Sequence, residues 1–126
     1  MTSERATIMI VDDEPTVTDL LSTDLELRGY NCVTAATGED ALVKLATVSV
    51  DALLLDLRLP GVSGMDVLTK VVSSYPATVV IIVTAVEDPQ TVVQAMKIGA
   101  LDYILKPFEL QRVADSIRKA LRRMPL

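Results

Sequence analysis

In this 126-residue chain, acidic, hydroxyl and amine side chains each follow directly on a short apolar run. Asp12, Asp13 and Glu14 follow the run at 8–11, Asp56 follows 52–55, Thr84 follows 79–83 and Lys106 follows 103–105. Carboxylates gathered in one place repel one another and raise one another's pKa values unless a cation neutralises them. With no histidine and with Cys32 the sole cysteine, the ligands would all be oxygen. That favours magnesium, which keeps several waters and bridges one or two carboxylates to a phosphate. Lys106 can offset the remaining charge or hold an oxyanion, and Thr84 offers a neutral hydroxyl donor. The chemistry these residues spell is a magnesium and phosphate site. The same composition excludes histidine-base catalysis, Cys/His zinc sites and disulfide frameworks.

Such residues meet only if the runs before them lie side by side. The runs at 8–11, 52–55 and 79–83 are rich in Val, Ile and Leu and read as strands buried on both faces. Weaker runs at 32–35 and 103–105 join them, and apolar residues repeat at helical spacing in between. Five alternating βα units predict a parallel sheet with helices on both faces, joined by right-handed crossovers. Ligands of such folds sit beyond the carboxyl ends of the strands, near a topological switch point.

The helical segments carry their own end signals. Val17, Leu20, Leu21 and Leu25 form one apolar stripe, with Pro15 at its start and Gly29 past its end. Thr37-Gly-Glu-Asp40 and Ser63-Gly-Met-Asp66 fit the capping-box pattern, and Asp88 puts a capping side chain before Pro89. Leu110, Val113, Ile117, Leu121 and Met124 trace a last stripe, with Lys119, Arg122 and Arg123 at the end where a helix favours positive charge. Gly99 reads as a helix C-cap, Gly61 and Gly64 as turn flexibility after Asp56 and Cys32 as a small buried hydrophobe, while Glu14 is open between capping, which is favoured, and metal contact.

Half the residues are hydrophobic and 23% are charged, enough for a packed core in a chain of one domain's length. Twelve basic against 17 acidic residues leave a net charge of −5, which argues against direct nucleic-acid binding by this domain. No apolar run approaches the ~20 residues of a membrane span, and MTSERAT carries no apolar signal segment, so a cytoplasmic protein is expected.

The order of motifs resembles the receiver domain of two-component response regulators, the family that includes the chemotaxis response regulator. IMIVDDE, ALLLDLRLPGVSGMDVL, VIIVTA and GALDYILKPF look like the family's blocks, in order, over essentially the whole chain. AMKIGALDYILKPF is more similar to the nitrogen-regulation type than to the chemotaxis type. The resemblance implies a flavodoxin-like, doubly wound (βα)5 fold with strand order 2-1-3-4-5. It also implies a single receiver domain over residues 1–126, with any output domain outside this chain.

Carried over residue by residue, the resemblance makes Asp56 the acceptor of a phosphoryl group from a phosphohistidine. Asp13 and Asp56 would ligate magnesium directly, Asp12 mainly through water, and Arg58 through its main-chain carbonyl. Lys106 would pair with the phosphoryl group, and Thr84 would bind it through its hydroxyl and Ala85 through its backbone N–H. Tyr103 would be the switch residue, Lys106-Pro107 a cis bond, and Arg58 and Val86 the side chains that set phosphoryl lifetime. Partners would be a sensor histidine kinase or histidine phosphotransfer protein, an output domain or downstream protein, and a second copy on phosphorylation. Catalysis would extend only to the domain's own phosphorylation and dephosphorylation. A haloacid-dehalogenase-like phosphatase would want an aspartate at Arg58, and a flavodoxin would want a Ser/Thr/Gly-rich loop in place of VDDEPT. A module that keeps the fold without switching is opposed by the intact Asp12, Asp13, Asp56, Thr84 and Lys106.

Overall fold

The computed structural model describes residues 5–122. In chain order the elements are β1 (Thr7–Val11), α1 (Pro15–Leu27), β2 (Asn31–Ala35), α2 (Gly38–Leu45), β3 (Ala52–Leu55), α3 (Gly64–Ser74), β4 (Val79–Thr84), α4 (Pro89–Ile98), β5 (Asp102–Leu105) and α5 (Leu110–Arg122). The strands form one parallel sheet in the order β2-β1-β3-β4-β5. The strand order reverses between the neighbours β1 and β3, which makes their boundary the topological switch point and sets their carboxyl ends beside each other.

Successive strand residues point to opposite faces, so each central strand feeds two cores. Met9, Val11, Leu53, Leu55, Val80 and Ile82 pack with α2, α3 and α4 through Ala41, Leu45, Val67, Leu68, Val71 and Ala95. Ile8, Ile10, Leu54, Ile81 and Val83 pack with α1 and α5 through Leu21, Leu25, Val113 and Ile117. At roughly 1.5–3 kcal/mol for each fully buried aliphatic side chain, these two layers hold the strand ends in register.

Local details differ in places from the sequence reading. Thr37 Oγ1 and Ser63 Oγ accept from the N–H of Asp40 and Asp66, at 3.0 and 3.1 Å. Asp88 stands at the N-cap of α4 without capping a main-chain N–H, its carboxylate accepting instead from Thr91 Oγ1 at 3.0 Å. Leu20 is 51% exposed, because it lies about 100° around the helix from Leu21 and the buried arc runs through Thr18, Leu21 and Leu25. Cys32 is only half-buried, since β2 is an edge strand; burial, with the Glu26 charge second, pushes its thiol up to about 11. Gly99 ends α4 with φ +138°, and Gly61 takes φ +73°. Gly64 has no such backbone need. It is required for space, because a Cβ there would strike the carbonyl oxygen of Asp56 and the Cα of Leu57. Arg123 and Met124 lie outside the described residues.

Candidate functional site

The sheet ladders run one residue beyond the strands and so place the site's side chains. Asp12 N donates to Ala35 O at 3.1 Å, Asp56 N to Val11 O at 3.0 Å and Lys106 N to Thr84 O at 2.9 Å. Asp12 and Asp56 are 4% and 5% exposed and Thr84 is fully buried, at the end of the sheet where four strands converge.

Lys106 Nζ lies 2.6 Å from Asp12 Oδ2 and 2.9 Å from Asp56 Oδ2, with Glu14 Oε1 at 3.5 Å. The other oxygen of Asp56 accepts from Thr84 Oγ1 at 2.7 Å and from Arg58 N–H at 3.0 Å. Asp12 Oδ1 accepts from Glu14 N–H at 2.9 Å. Asp56 is thus held by an ammonium on one oxygen and two neutral donors on the other, which fixes its plane. Burial works against the charge of Lys106, but its bonds to Asp12 and Asp56 outweigh this and hold the ammonium above the ordinary lysine value. Burial also pushes the Asp12 carboxyl above the usual carboxylate range, a rise that Lys106 and the Glu14 N–H reduce without cancelling.

Oxygens of Asp12, Asp13, Glu14 and Asp56 all lie within 4.8 Å of one another. The set is all oxygen, mixes buried and exposed carboxylates, and carries more negative charge than Lys106 offsets. It therefore fits a hard divalent ion that keeps part of its water shell. Glu14 is a correction to the capping reading: it occupies the N-cap of α1 but makes no side-chain cap bond, and its carboxylate faces Lys106 instead. The signal available in sequence was its place directly after Asp12-Asp13.

Around this rim, Arg58 is exposed and Val86 is half-buried against the α2/α3/α4 core. Val86 N–H reaches Thr84 Oγ1 at 3.4 Å, and Val86 O accepts from the Tyr103 hydroxyl at 2.6 Å. Ala85 is exposed, and the Lys106-Pro107 bond is cis. Among the described residues, no helix is long and apolar enough to cross a membrane.

A doubly wound sheet in this order, with an acidic rim at its switch point and a lysine from the last strand, defines a CheY-like α/β protein of the flavodoxin type. A family model for the response regulator receiver domain matches residues 8–118, and the chain belongs to that family of two-component signalling proteins. It is a phosphoacceptor signalling module and not an enzyme turning over a separate substrate. The chain is 35% identical over 120 residues to the probable transcriptional regulatory protein TcrX of Mycobacterium tuberculosis, covering 95% of this chain and 51% of that protein. It is 37% identical over 115 residues to the regulatory protein AtoC of Escherichia coli, covering 91% of this chain and 25% of AtoC. The chain therefore spans about half or less of these curated relatives. The CheY-like receiver domain protein of Methanospirillum hungatei superposes with a TM-score of 0.91 at 29% identity, covering 94% of this chain and 95% of that one.

Proposed function

We propose that Asp56 accepts a phosphoryl group from the phosphohistidine of a sensor histidine kinase or a histidine phosphotransfer protein. The observation that carries this reading is the three-point hold on Asp56 by Lys106, Thr84 and the Arg58 N–H. A carboxylate oxygen attacks phosphorus, the bond from phosphorus to the imidazole nitrogen breaks, and the freed imidazole keeps or gains its proton from solvent. A carboxylate nucleophile gives up no proton as it attacks, so no general base is needed, in keeping with a chain that has no histidine. The task left to the protein is positioning and neutralisation of oxygen charge.

Asp13, Asp56 and the Arg58 carbonyl would hold magnesium directly and Asp12 would hold it through water. The ion's contribution when bound is to neutralise the phosphoryl oxygens and orient them for in-line transfer. Lys106 takes the charge on the opposite side, Thr84 turns its hydroxyl from Asp56 Oδ1 to a phosphoryl oxygen, and the Ala85 N–H supplies a further donor. The change then passes through Val86 and Tyr103 to the face made by α4, β5 and α5. That face would act on an output domain or downstream protein, or on a second copy, in transcription control. The transcriptional relatives support this reading. Residues 1–126 would form a single receiver domain working in the cytoplasm, with no direct nucleic-acid contact by this domain.

Acetyl phosphate with magnesium should add one phosphoryl group, read by intact mass, and the Asp56→Asn variant should take none. Equal modification of that variant, or modification of wild type in excess chelator, overturns the assignment.

A further inference from the structure

Two segments that no strand ladder joins, the first turn of α2 and the loop between β3 and α3, fit each other glycine against side chain. At Gly38 an added Cβ would come within 2.8 Å of Val62 O and 2.9 Å of Val67 Cγ2, so only glycine lets the loop approach. At Gly61 an added Cβ would fall on the Glu39 carboxylate, so here the loop makes room for α2. Glu39 Oε2 accepts from Val62 N–H at 3.4 Å, across 23 positions of sequence. The near end of the same loop is Arg58, whose N–H binds Asp56 Oδ1, and its far end is Gly64, packed on the Asp56 carbonyl.

We infer that Glu39 is a positioning residue for the phosphoacceptor loop: its carboxylate, set over Gly61 and bonded to Val62 N–H, latches the loop that carries Arg58 onto α2. Helix electrostatics do not account for this placement. A negative charge in the first turn of α2 is already supplied by Asp40, whose N–H is capped by Thr37 and whose carboxylate pairs with Lys44 at 3.0 Å. Glu39 instead leaves its own helix. Leu59 and Val62 pack this loop against the core beside α2, and the Glu39 carboxylate adds a polar hold on its main chain at Gly61-Val62. The Arg58 main chain then stays aligned on Asp56 without reorganising when an ion or phosphoryl group arrives. The consequence for the metal and the phosphoryl group rests on the reading of Asp56 above.

The test compares wild type with Glu39→Ala and Glu39→Gln in the intact chain. Amide exchange measured by NMR in magnesium-free buffer should quicken about threefold at Arg58 and Val62 in Glu39→Ala, the loss of one long, exposed hydrogen bond, and stay unchanged in α5. Glu39→Gln keeps a neutral acceptor and should stay within about twofold of wild type. Magnesium titration should show affinity weakened about fivefold in Glu39→Ala and largely restored in Glu39→Gln. Unchanged exchange at Val62 in Glu39→Ala overturns the latch. So does equal weakening of magnesium binding by both variants, because charge alone would then be the cause. Quickened exchange at Val62 in Glu39→Ala, alongside a wild type that takes no phosphoryl group, supports the latch and overturns the reading of Asp56.

Discussion

The Tyr103 hydroxyl donates to the main-chain carbonyl of Val86 at 2.6 Å, joining the middle of β5 to the loop after β4. Val86 also reaches back through its N–H to Thr84, whose hydroxyl rests on Asp56. One residue, Val86, thus links the acid rim to the aromatic ring through the two peptide groups on either side of its Cα, and Thr84 is turned toward Asp56 while Tyr103 is engaged. Any event that pulls Thr84 further toward a phosphoryl oxygen strains or tightens this same chain of bonds.

Tyr103→Phe should lose about 1 kcal/mol from the missing bond and should still accept a phosphoryl group at Asp56. Its NMR shift changes on phosphorylation should contract to the loops around Asp56, whereas those of wild type extend into α4, β5 and α5. Burial, then the charges of Asp56 and Asp88, hold the Tyr103 phenol above the ordinary tyrosine value. The ultraviolet titration difference between wild type and Tyr103→Phe, in magnesium-free buffer, should therefore have its midpoint above pH 10.

Asp12→Asn should raise the melting temperature in chelator at pH 7. A carboxyl whose folded pKa lies above its unfolded value contributes stability below the unfolded value and loses it as pH rises through the folded one. Folding favours the neutral form of this carboxyl and Lys106 keeps its bond to Asp56, so removing the charge should gain up to about 1 kcal/mol, or roughly 3 °C. The gap between the two proteins should close as pH falls to the ordinary carboxylate range. Excess magnesium should narrow or reverse it at pH 7, because wild type gains binding free energy that the variant does not match.

At the start of β5, Asp102 behaves in the opposite sense. Burial works against its charge, but Arg112 at 2.9 and 3.2 Å, Ser116 Oγ at 2.6 Å and the Tyr103 N–H at 2.8 Å outweigh it and hold the carboxyl below the usual range. Its stabilisation is present above the unfolded value and is lost as pH falls through the folded one. Asp102→Asn should cost about 1 kcal/mol at pH 7, discounted for the partial exposure of the pair. Urea midpoints of the two proteins should converge in acid; a constant difference from pH 7 to pH 3 would remove the charge as its cause.

Arg58→Asn/Val86→Glu should release phosphate several-fold faster than wild type, on the order of one hydrogen bond's worth of barrier. Neither native side chain offers an acceptor to orient an attacking water, Val86 is packed against its core, and Arg58 is free to lie over phosphoryl oxygens. Equal or slower release from the double variant removes shielding as the determinant of lifetime.

Runs at 8–11, 52–55 and 79–83 announced the central strands because burial on both faces demands unbroken apolar residues, a local requirement that composition alone meets. Asp12, Asp56 and Thr84 were legible for the same reason, each being the first polar position after such a run or the last residue of it, while Lys106 follows the weaker run of β5, where only Ile104 is buried. Leu20, Glu14, Asp88, Gly64 and Glu39 were not. Whether Leu20 faces a core depends on how α1 is rolled against α5, and whether Glu14 caps its helix depends on an ammonium 92 positions away. Gly64 reads as a flexible turn until the Asp56 carbonyl is set against it, and Glu39 as one more charge at a helix start until Gly61 opens a place for it. Periodicity and capping are energies of neighbours in sequence, decided within a turn or a strand. The partners of an exposed or bridging side chain are chosen by packing between elements, whose energies depend on distances no local pattern encodes.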